Sequence, residues 1–515
     1  MSAGQYDADL LIAGMGPVGA VAANIAGTAG LRTIVIERDI EPYRLPRAIV
    51  FDAEIMRIFA AIGLADTIAS VTRPLGGSVY IGADRQPIRT FRAHPRAHDL
   101  AWHPSNLFYQ PQLETILRDG LERFPTVSVR TGDAVTGVEA RGEGVQVTTG
   151  SGAALTARYL LACDGASSNV RKALGIALDD IGFEERWLVV DTDVTGPMRW
   201  PDGYGIPDEV RDGRYSLMVC DPERPCTLIP GRGTHRRWEY MLLPGERDEQ
   251  VVRDDWLAEQ IGRWVDPGNV AIIRTAIYRF RALVAEHWRR GPVFLLGDAA
   301  HQTPPFFGQG MCHGIRDAAQ LIWKLAMVLD GRAADQLLDS YQPEREPHVR
   351  AIIAASVAAG AEVCKLDRDE AVARDKAFRA AERERNGRVA MTDIVPPIHA
   401  GVIDPASGGA RLPEFTITRA AGVVRLDTLL GKGFVLLAVA PLDPPAGWAA
   451  IGGQVVLVED DRFAAWLDTR GAQWAIVRPD RYVYATGASP HDLAAAVAAL
   501  AGQLGTGVSM EMKAS

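Results

Sequence analysis

Six residues near the N-terminus, Gly14-Met15-Gly16-Pro17-Val18-Gly19, constrain the fold of this chain more than any other stretch. They follow the apolar run Leu10-Leu11-Ile12-Ala13 and open a small-residue segment from Val18 to about Ala29. Arg32-Thr33-Ile34-Val35-Ile36-Glu37 then reads as a second strand, so the whole is a βαβ unit. In that setting each glycine has a mechanical task. Gly14 permits a tight turn, Gly16 lets backbone approach a pyrophosphate, and Gly19 lets the helix pack closely on the sheet. The helix N-terminus offers unpaired N–H groups and positive dipole to phosphates. Glu37, at the end of the second strand, is placed to accept hydrogen bonds from ribose hydroxyls. A dinucleotide site follows, with Gly14, Gly16, Pro17, Gly19, Glu37 and Arg38 as binding candidates. NAD and FAD sites share this fingerprint, and the unit alone does not choose between them.

Two later clusters bear on that choice. Cys163-Asp164-Gly165-Ala166-Ser167-Ser168-Asn169-Val170-Arg171 follows the buried-strand pattern Tyr159-Leu160-Leu161-Ala162. Gly297-Asp298-Ala299-Ala300-His301-Gln302-Thr303-Pro304-Pro305-Phe306-Phe307-Gly308-Gln309-Gly310-Met311 follows another strand, Pro292 to Leu296, and leads into a long helix containing Gly314-Ile315-Arg316-Asp317-Ala318. If clusters this far apart serve one ligand, the chain folds back across a single extended cofactor. Between them, residues 176–290 carry Trp187, Trp200, Trp238, Trp256 and Trp264 with two-fold alternation, which reads as a sheet-rich insert. The 367–388 stretch is dense in both charge signs and is expected to be a solvated helix marking a boundary. Beyond Pro396 a compact α/β segment follows.

These three signatures, in this order, resemble the class A FAD-dependent aromatic hydroxylases, the family of p-hydroxybenzoate and phenol hydroxylases. Gln302-Thr303-Pro304-Pro305-Phe306, Gly308-Gln309-Gly310-Met311-Cys312, Trp323-Lys324-Leu325 and Tyr341-Gln342-Pro343-Glu344-Arg345 are most similar to the 3-(3-hydroxyphenyl)propionate hydroxylase group. The resemblance implies an α/β fold: a Rossmann-like FAD-binding domain of glutathione-reductase type, an inserted β-sheet substrate domain, and a C-terminal thioredoxin-like domain. The expected boundaries are 1–73, 104–175 and 291–365 for the FAD-binding domain, 74–103 and 176–290 for the substrate domain, 366–395 for a helical linker, and 396–515 for the last domain. That last segment has no cysteine, which excludes dithiol chemistry there.

Residue by residue, the family implies that Glu37 holds the adenosine ribose and Asp298 of the Gly297-Asp298 pair the ribityl chain. Arg47 and Gln110 would lie against the phosphates and ribityl region, and Asp164 would support both FAD and the passing nicotinamide. Pro305, Gly308, Gly310 and Met311 would sit beside the isoalloxazine. Cys312 departs from the Asn of many relatives, which removes a side-chain amide contact. The implied reaction hydroxylates a phenolic aromatic compound with O2 and NADH or NADPH, through a flavin C4a-hydroperoxide. Pro305, His301 and Tyr278 are the catalytic candidates; for His301 a proton path competes with a capping role beside the loop. Phe306 and Phe307 are expected as apolar walls of the substrate pocket, with Tyr215, His235, Trp238 and Tyr240 as further lining. Baeyer–Villiger or epoxidising chemistry on a polycyclic substrate shares every motif, and a non-catalytic FAD-binding protein is the alternative of another class.

Composition narrows the setting. A net charge of -9 offers no basic footprint for nucleic acid. No apolar run approaches the length of a membrane span, and the first residues resemble no secretory signal. Five scattered cysteines without CxxC or zinc-finger spacing fit reduced thiols in a cytoplasm, with no metal site. The expected partners are a small aromatic substrate and O2, with a homodimer as an open expectation.

Overall fold

The computed structural model describes residues 6–42, 47–92, 100–385, 395–419 and 422–505. The run Ala8–Ala13 is buried on nearly every side, which suits a strand covered on both faces. It lies inside an eight-stranded sheet, parallel to Ala154–Ala162 on one side and to Thr33–Glu37 on the other. Val293–Leu295 and Val127–Thr131 extend this parallel core outward. The helix Pro17–Thr28 leaves the first strand and packs its alanines against the sheet and the helix Gly310–Leu329. The strands of all three sequence clusters therefore end along one edge of one sheet, where ligands of open α/β sheets bind.

A second eight-stranded sheet is built around two long antiparallel strands, Leu178–Val194 and Val270–Ala285. His235–Met241 pairs with the first of these, followed outward by Cys226–Pro230, Tyr215–Val219, Gly77–Ile81 and Pro87–Arg92. Strand periodicity of two divides its side chains between two environments. Leu188, Val190, Trp238, Tyr240 and Trp264 form a closed apolar core behind the sheet. Trp187, Val189, Arg237 and Glu239 face the space between the two sheets. The short strand His301–Gln302 pairs with Val270–Ala285, so the third sequence cluster is stitched directly to the second sheet.

The charged helix expected to be solvated is docked instead. Arg368–Arg385 lies against Pro87–Arg92, and Arg374 and Asp375 are buried. Asp375 accepts from the Ala83 N–H at 2.7 Å, and Arg374 donates to the Cys220 carbonyl at 2.8 Å. The two side chains also pair with each other at 2.7 Å, so this part of the helix is held by a buried ion pair that bonds backbone groups of the second sheet, a pattern that charge density alone does not reveal.

The C-terminal unit has strands in the order Gln454–Leu457, Val435–Ala438, Trp474–Val477 and Val483–Gly487, the first pair parallel and the others antiparallel. With helices Asp461–Asp468 and Pro490–Gln503 this is a thioredoxin-like arrangement. It shares an apolar core with Trp323 and Met327 of the helix Gly310–Leu329. No helix among the described residues is long and apolar enough to cross a membrane.

Candidate active site

A cavity of about 590 Å³ runs from the glycine turn, along the strand ends of the first sheet, to the open face of the second. Its first part is shaped by backbone. Gly14 has φ +94°, and a Cβ there would meet the Cys163 carbonyl oxygen at 2.5 Å, so only glycine closes this turn. Gly16 has nothing within 4 Å of the same construction, which leaves its backbone open to a ligand. Gly19 lies behind the turn, with its would-be Cβ 2.0 Å from the Gly14 carbonyl oxygen. Pro17 begins the helix, and the cap residue Gly16 has no side chain to occupy its free N–H groups.

Glu37 closes the far side of this cradle. Its carboxylate accepts from the Met15 N–H at 2.5 Å and from the Asp39 N–H at 2.9 Å, one bond to each oxygen. A carboxylate has about four acceptor sites, so capacity remains for two adjacent hydroxyls in the cavity that Glu37 lines. Arg38 and Arg47 line the same region. Gln110 is buried and accepts from the N–H groups of Arg47 at 3.0 Å and Ala48 at 2.7 Å, so it fixes the path of that segment. Asp164 accepts from the Val170 N–H through one oxygen at 3.1 Å, while the other is buried with no partner. Burying an acceptor without a bond is costly, and this one lies beside the cavity wall.

The Gly297-Asp298 pair sits on a left-handed turn, with Gly297 at φ +58°. Asp298 faces the cavity, and the protein packed around it pushes its carboxyl above the ordinary value. The turn is held from beneath by Asp317 of the helix Gly310–Leu329. That side chain accepts from the Gly297 N–H at 3.0 Å, pairs with Arg345 at 2.8 Å and bonds the His301 ring at 2.8 Å. Arg345 and His301 hold its carboxyl below the usual range against the opposing effect of burial, which is the largest single influence. His301 bonds Asp317 through Nε2, packs at a tilt against Trp288 with ring centroids 5.2 Å apart, and does not line the cavity; its Nδ1 is buried without a partner. The structure thus places the ring behind the loop that lines the cavity.

Pro305–Phe307 form a short helical turn, Gly308 takes φ +63°, and Gly310 begins the next helix with no side-chain cap. Pro305, Phe306, Phe307, Gly308, Gly310 and Met311 all line the cavity, with the positive helix end directed at it. Arg316, one turn further, is consumed by Asp52 and Glu54 at 2.5 and 2.8 Å. The Asp298 carboxylate facing the cavity, an open glycine cradle and an uncapped helix end along one elongated cavity fit the ribityl, pyrophosphate and flavin parts of FAD, and the unpartnered Asp164 oxygen lies beside them.

At the second sheet the cavity is aromatic and polar by turns. Trp187 stands edge-on to Phe306 with ring centroids 6.0 Å apart, and Tyr278 stacks on Phe280 at 6.0 Å. Tyr278 lines the cavity, and its hydroxyl accepts from Arg274. Trp238 and Tyr240 do not line it. They alternate with Arg237 and Glu239 along His235–Met241, and it is the charged pair that faces the ligand space. Tyr215 packs beside the apolar core, and the adjacent Ser216 takes the lining position. His235 is buried against Asp191 at 3.0 Å, beyond the cavity wall. In this strand the aromatic side chains of Trp238 and Tyr240 fill the core face, and the charged residues beside them face the ligand space.

Comparison with known proteins adds the family. The FAD binding domain family matches residues 7–356, and the HcaD C-terminal domain family matches residues 442–503. The chain belongs to the FAD-dependent aromatic hydroxylases. It is 32% identical to the probable NADH-specific resorcinol 4-hydroxylase of Rhodococcus jostii (strain RHA1), covering 96% of this chain and 94% of that one. It is 34% identical to the 3-(3-hydroxy-phenyl)propionate/3-hydroxycinnamic acid hydroxylase of Mycobacterium sp. (strain JLS), over 93% and 89% of the two chains. The hydroxylase fold extends to solved structures: the flavin-dependent monooxygenase PieE, with FAD and substrate, superposes with a TM-score of 0.80 at 21% identity, over 97% of this chain and 99% of that one. Aklavinone-11 hydroxylase gives 0.79 at 23% identity, over 98% and 100%.

Proposed function

We propose that this hydroxylase inserts one oxygen atom of O2 into a small phenol, ortho or para to its hydroxyl, with NADH as the electron donor. One observation carries the reading: a single cavity joins the FAD cradle to an aromatic slot between Trp187, Tyr278, Phe280 and Phe306. Edge-to-face and stacked rings favour a flat aromatic guest. NADH and a phenol are supported by the printed names of the relatives, a probable NADH-specific resorcinol 4-hydroxylase and hydroxyphenylpropionate hydroxylases.

Bound FAD supplies hydride acceptance and the activation of O2. This chain's residues supply the surroundings. The uncapped end of Gly310–Leu329 would favour negative charge on a flavin held beside Gly310 and Met311. Pro305, Phe306 and Trp187 remove water from the reacting region, which suppresses wasteful peroxide release. Asp317 keeps the Asp298 turn in place through the Gly297 N–H. The five unpaired cysteines support placement in a reducing cytoplasm.

The test is a coupled assay with purified holoprotein. Resorcinol and 3-(3-hydroxyphenyl)propionate are added separately to enzyme, NADH and O2. Accelerated NADH oxidation with a matching amount of hydroxylated product is expected from at least one. Oxidation that yields only hydrogen peroxide with both would contradict the proposal.

A further inference from the structure

The floor of the substrate end of the cavity contains a carboxylate that the scheme above leaves unused. Glu239 occupies the middle of His235–Met241, directly opposite Val189 on one side and Thr227 on the other. It lines the cavity. Val189 has no polar side-chain atom, and the Thr227 hydroxyl is directed to the Met218 sulfur at 3.0 Å. Among the described residues, no hydrogen bond or ion pair reaches the Glu239 carboxylate. Its neighbours behave differently. Asp191 accepts from Arg237 through both oxygens, at 2.9 and 3.1 Å, and also contacts His235. Arg237 donates in addition to the Arg47 carbonyl, so its guanidinium is committed to the cavity wall.

Glu239 is half-buried and opens onto the cavity beside Val189 and Met218, so its carboxylate is free to accept from a ligand there. The missing partner must be a donor, and a phenol hydroxyl is one. Resting on the reading of the substrate as a phenol, we propose that Glu239 accepts the hydrogen bond of the substrate hydroxyl and takes its proton as the ring is oxygenated. The choice of substrate follows: a neutral di- or polyhydroxylated benzene is favoured over an aryl carboxylate, whose own charge would face Glu239.

The proton balance is simple. The phenolic O–H bond breaks, its electron pair stays on oxygen, and a new O–H bond forms on the Glu239 carboxylate. This makes the ring electron-rich as a C–O bond forms to it: the O–O bond of dioxygen, activated by two electrons from NADH, breaks, and its second oxygen leaves as water, taking up a proton equivalent to the one the ring carbon releases. When the ring regains aromaticity, the carbon that received oxygen loses its proton to water and Glu239 returns its proton to the oxygen it came from. The enzyme ends in its starting protonation state.

Burial raises the Glu239 carboxyl above its ordinary value; Arg237 on the same strand opposes this and Asp191 adds to it. The other ionisable groups lining this end of the cavity are Tyr278 on Val270–Ala285, Tyr80 on Gly77–Ile81 and Arg92 on Pro87–Arg92; behind the wall, His235 and Arg274 lie against Asp191. A raised carboxyl is neutral, and unable to act as a base, at low pH. Binding and hydroxylation therefore fall as pH drops through its ionisation.

The experiment uses FAD-loaded wild-type protein and the variants Glu239→Gln and Glu239→Asp. Binding of resorcinol to the oxidised protein is followed by the change in flavin absorbance across pH, and coupled turnover is measured with resorcinol and with 3-(3-hydroxyphenyl)propionate. Wild type is expected to bind resorcinol with an acidic limb and to prefer it over the phenylpropionate. Glu239→Gln is expected to lose the limb and about 10²-fold in coupled turnover, the order that general base catalysis contributes. Glu239→Asp recovers part of the loss and keeps a limb. A Gln variant with the wild-type pH profile and turnover would overturn the assignment while leaving phenol hydroxylation intact. So would a wild type that prefers the phenylpropionate. A wild type that neither binds nor turns over either compound would overturn both readings.

Discussion

Asp317 never reaches the cavity, yet three groups that build the cofactor loop converge on it: the Gly297 N–H, the His301 ring and the Arg345 guanidinium. Removing its charge leaves Arg345 buried without a counter-ion, a change that costs about 3–5 kcal/mol when one member of a buried pair is lost. Asp317→Asn is expected to lower the melting temperature and flavin content together, measured by thermal unfolding and absorbance of the purified protein. Asp298 is different, since it lines the cavity. Asp298→Ala should lose FAD affinity while keeping the melting temperature of the FAD-free protein, and unchanged flavin content would refute its role. Gly14→Ala fails for a steric reason, combining a left-handed φ with a 2.5 Å approach to a carbonyl oxygen, and is expected to yield protein without bound flavin.

The strand His235–Met241 divides two kinds of work between its faces. Trp238 is 1% exposed in the core behind the second sheet, and its indole N–H donates to Thr192 at 3.0 Å. Trp238→Ala is expected to cost about 3–5 kcal/mol in a denaturant titration, with little change in ligand affinity per folded molecule. Glu239, one residue away, carries the opposite expectation. The sequence makes the βαβ unit and the two later turns legible because left-handed turns and close backbone approach leave few residue choices. Gly14, Gly297 and Gly308 all have positive φ. Which face of a strand meets a ligand is set by tertiary partners, so the sequence of this strand does not separate Arg237 and Glu239 from the aromatic residues beside them. Asp317 was visible only as part of a helix motif, since its three partners come from distant segments. The docking of Arg368–Arg385 is not legible for a related reason: Arg374 and Asp375 pair with each other and bond Cys220 and Ala83, which come from distant strands.

The C-terminal unit is tied into the rest of the molecule by apolar packing and by buried charge. Trp323 stands edge-on to Phe434 at 5.5 Å, and Glu344 receives both Lys324 at 2.8 Å and Arg478 at 2.7 Å. Against burial, the largest influence, Arg478 and then Lys324 hold the Glu344 carboxyl down at about 2, whereas burial pushes Lys324 down to about 8. The folded carboxyl lies below its ordinary value of 4.5, so its stabilisation is present above that pH and is lost as pH falls toward about 2. Acid unfolding followed by circular dichroism should show this loss in wild type, and Glu344→Gln should already be destabilised at neutral pH and flatter over the same window. Deleting residues 396–515 uncovers Trp323, Met327 and Leu337 and is expected to give aggregated protein by gel filtration. For the molecule as a whole, the central claim is that one cavity brings FAD and a phenol together for oxygen insertion. Isotopically labelled dioxygen tests it most directly, with resorcinol, NADH and the purified holoprotein analysed by mass spectrometry. The account predicts a hydroxylated product carrying one labelled oxygen atom per molecule; an unlabelled product, or labelled peroxide with no product, would contradict it.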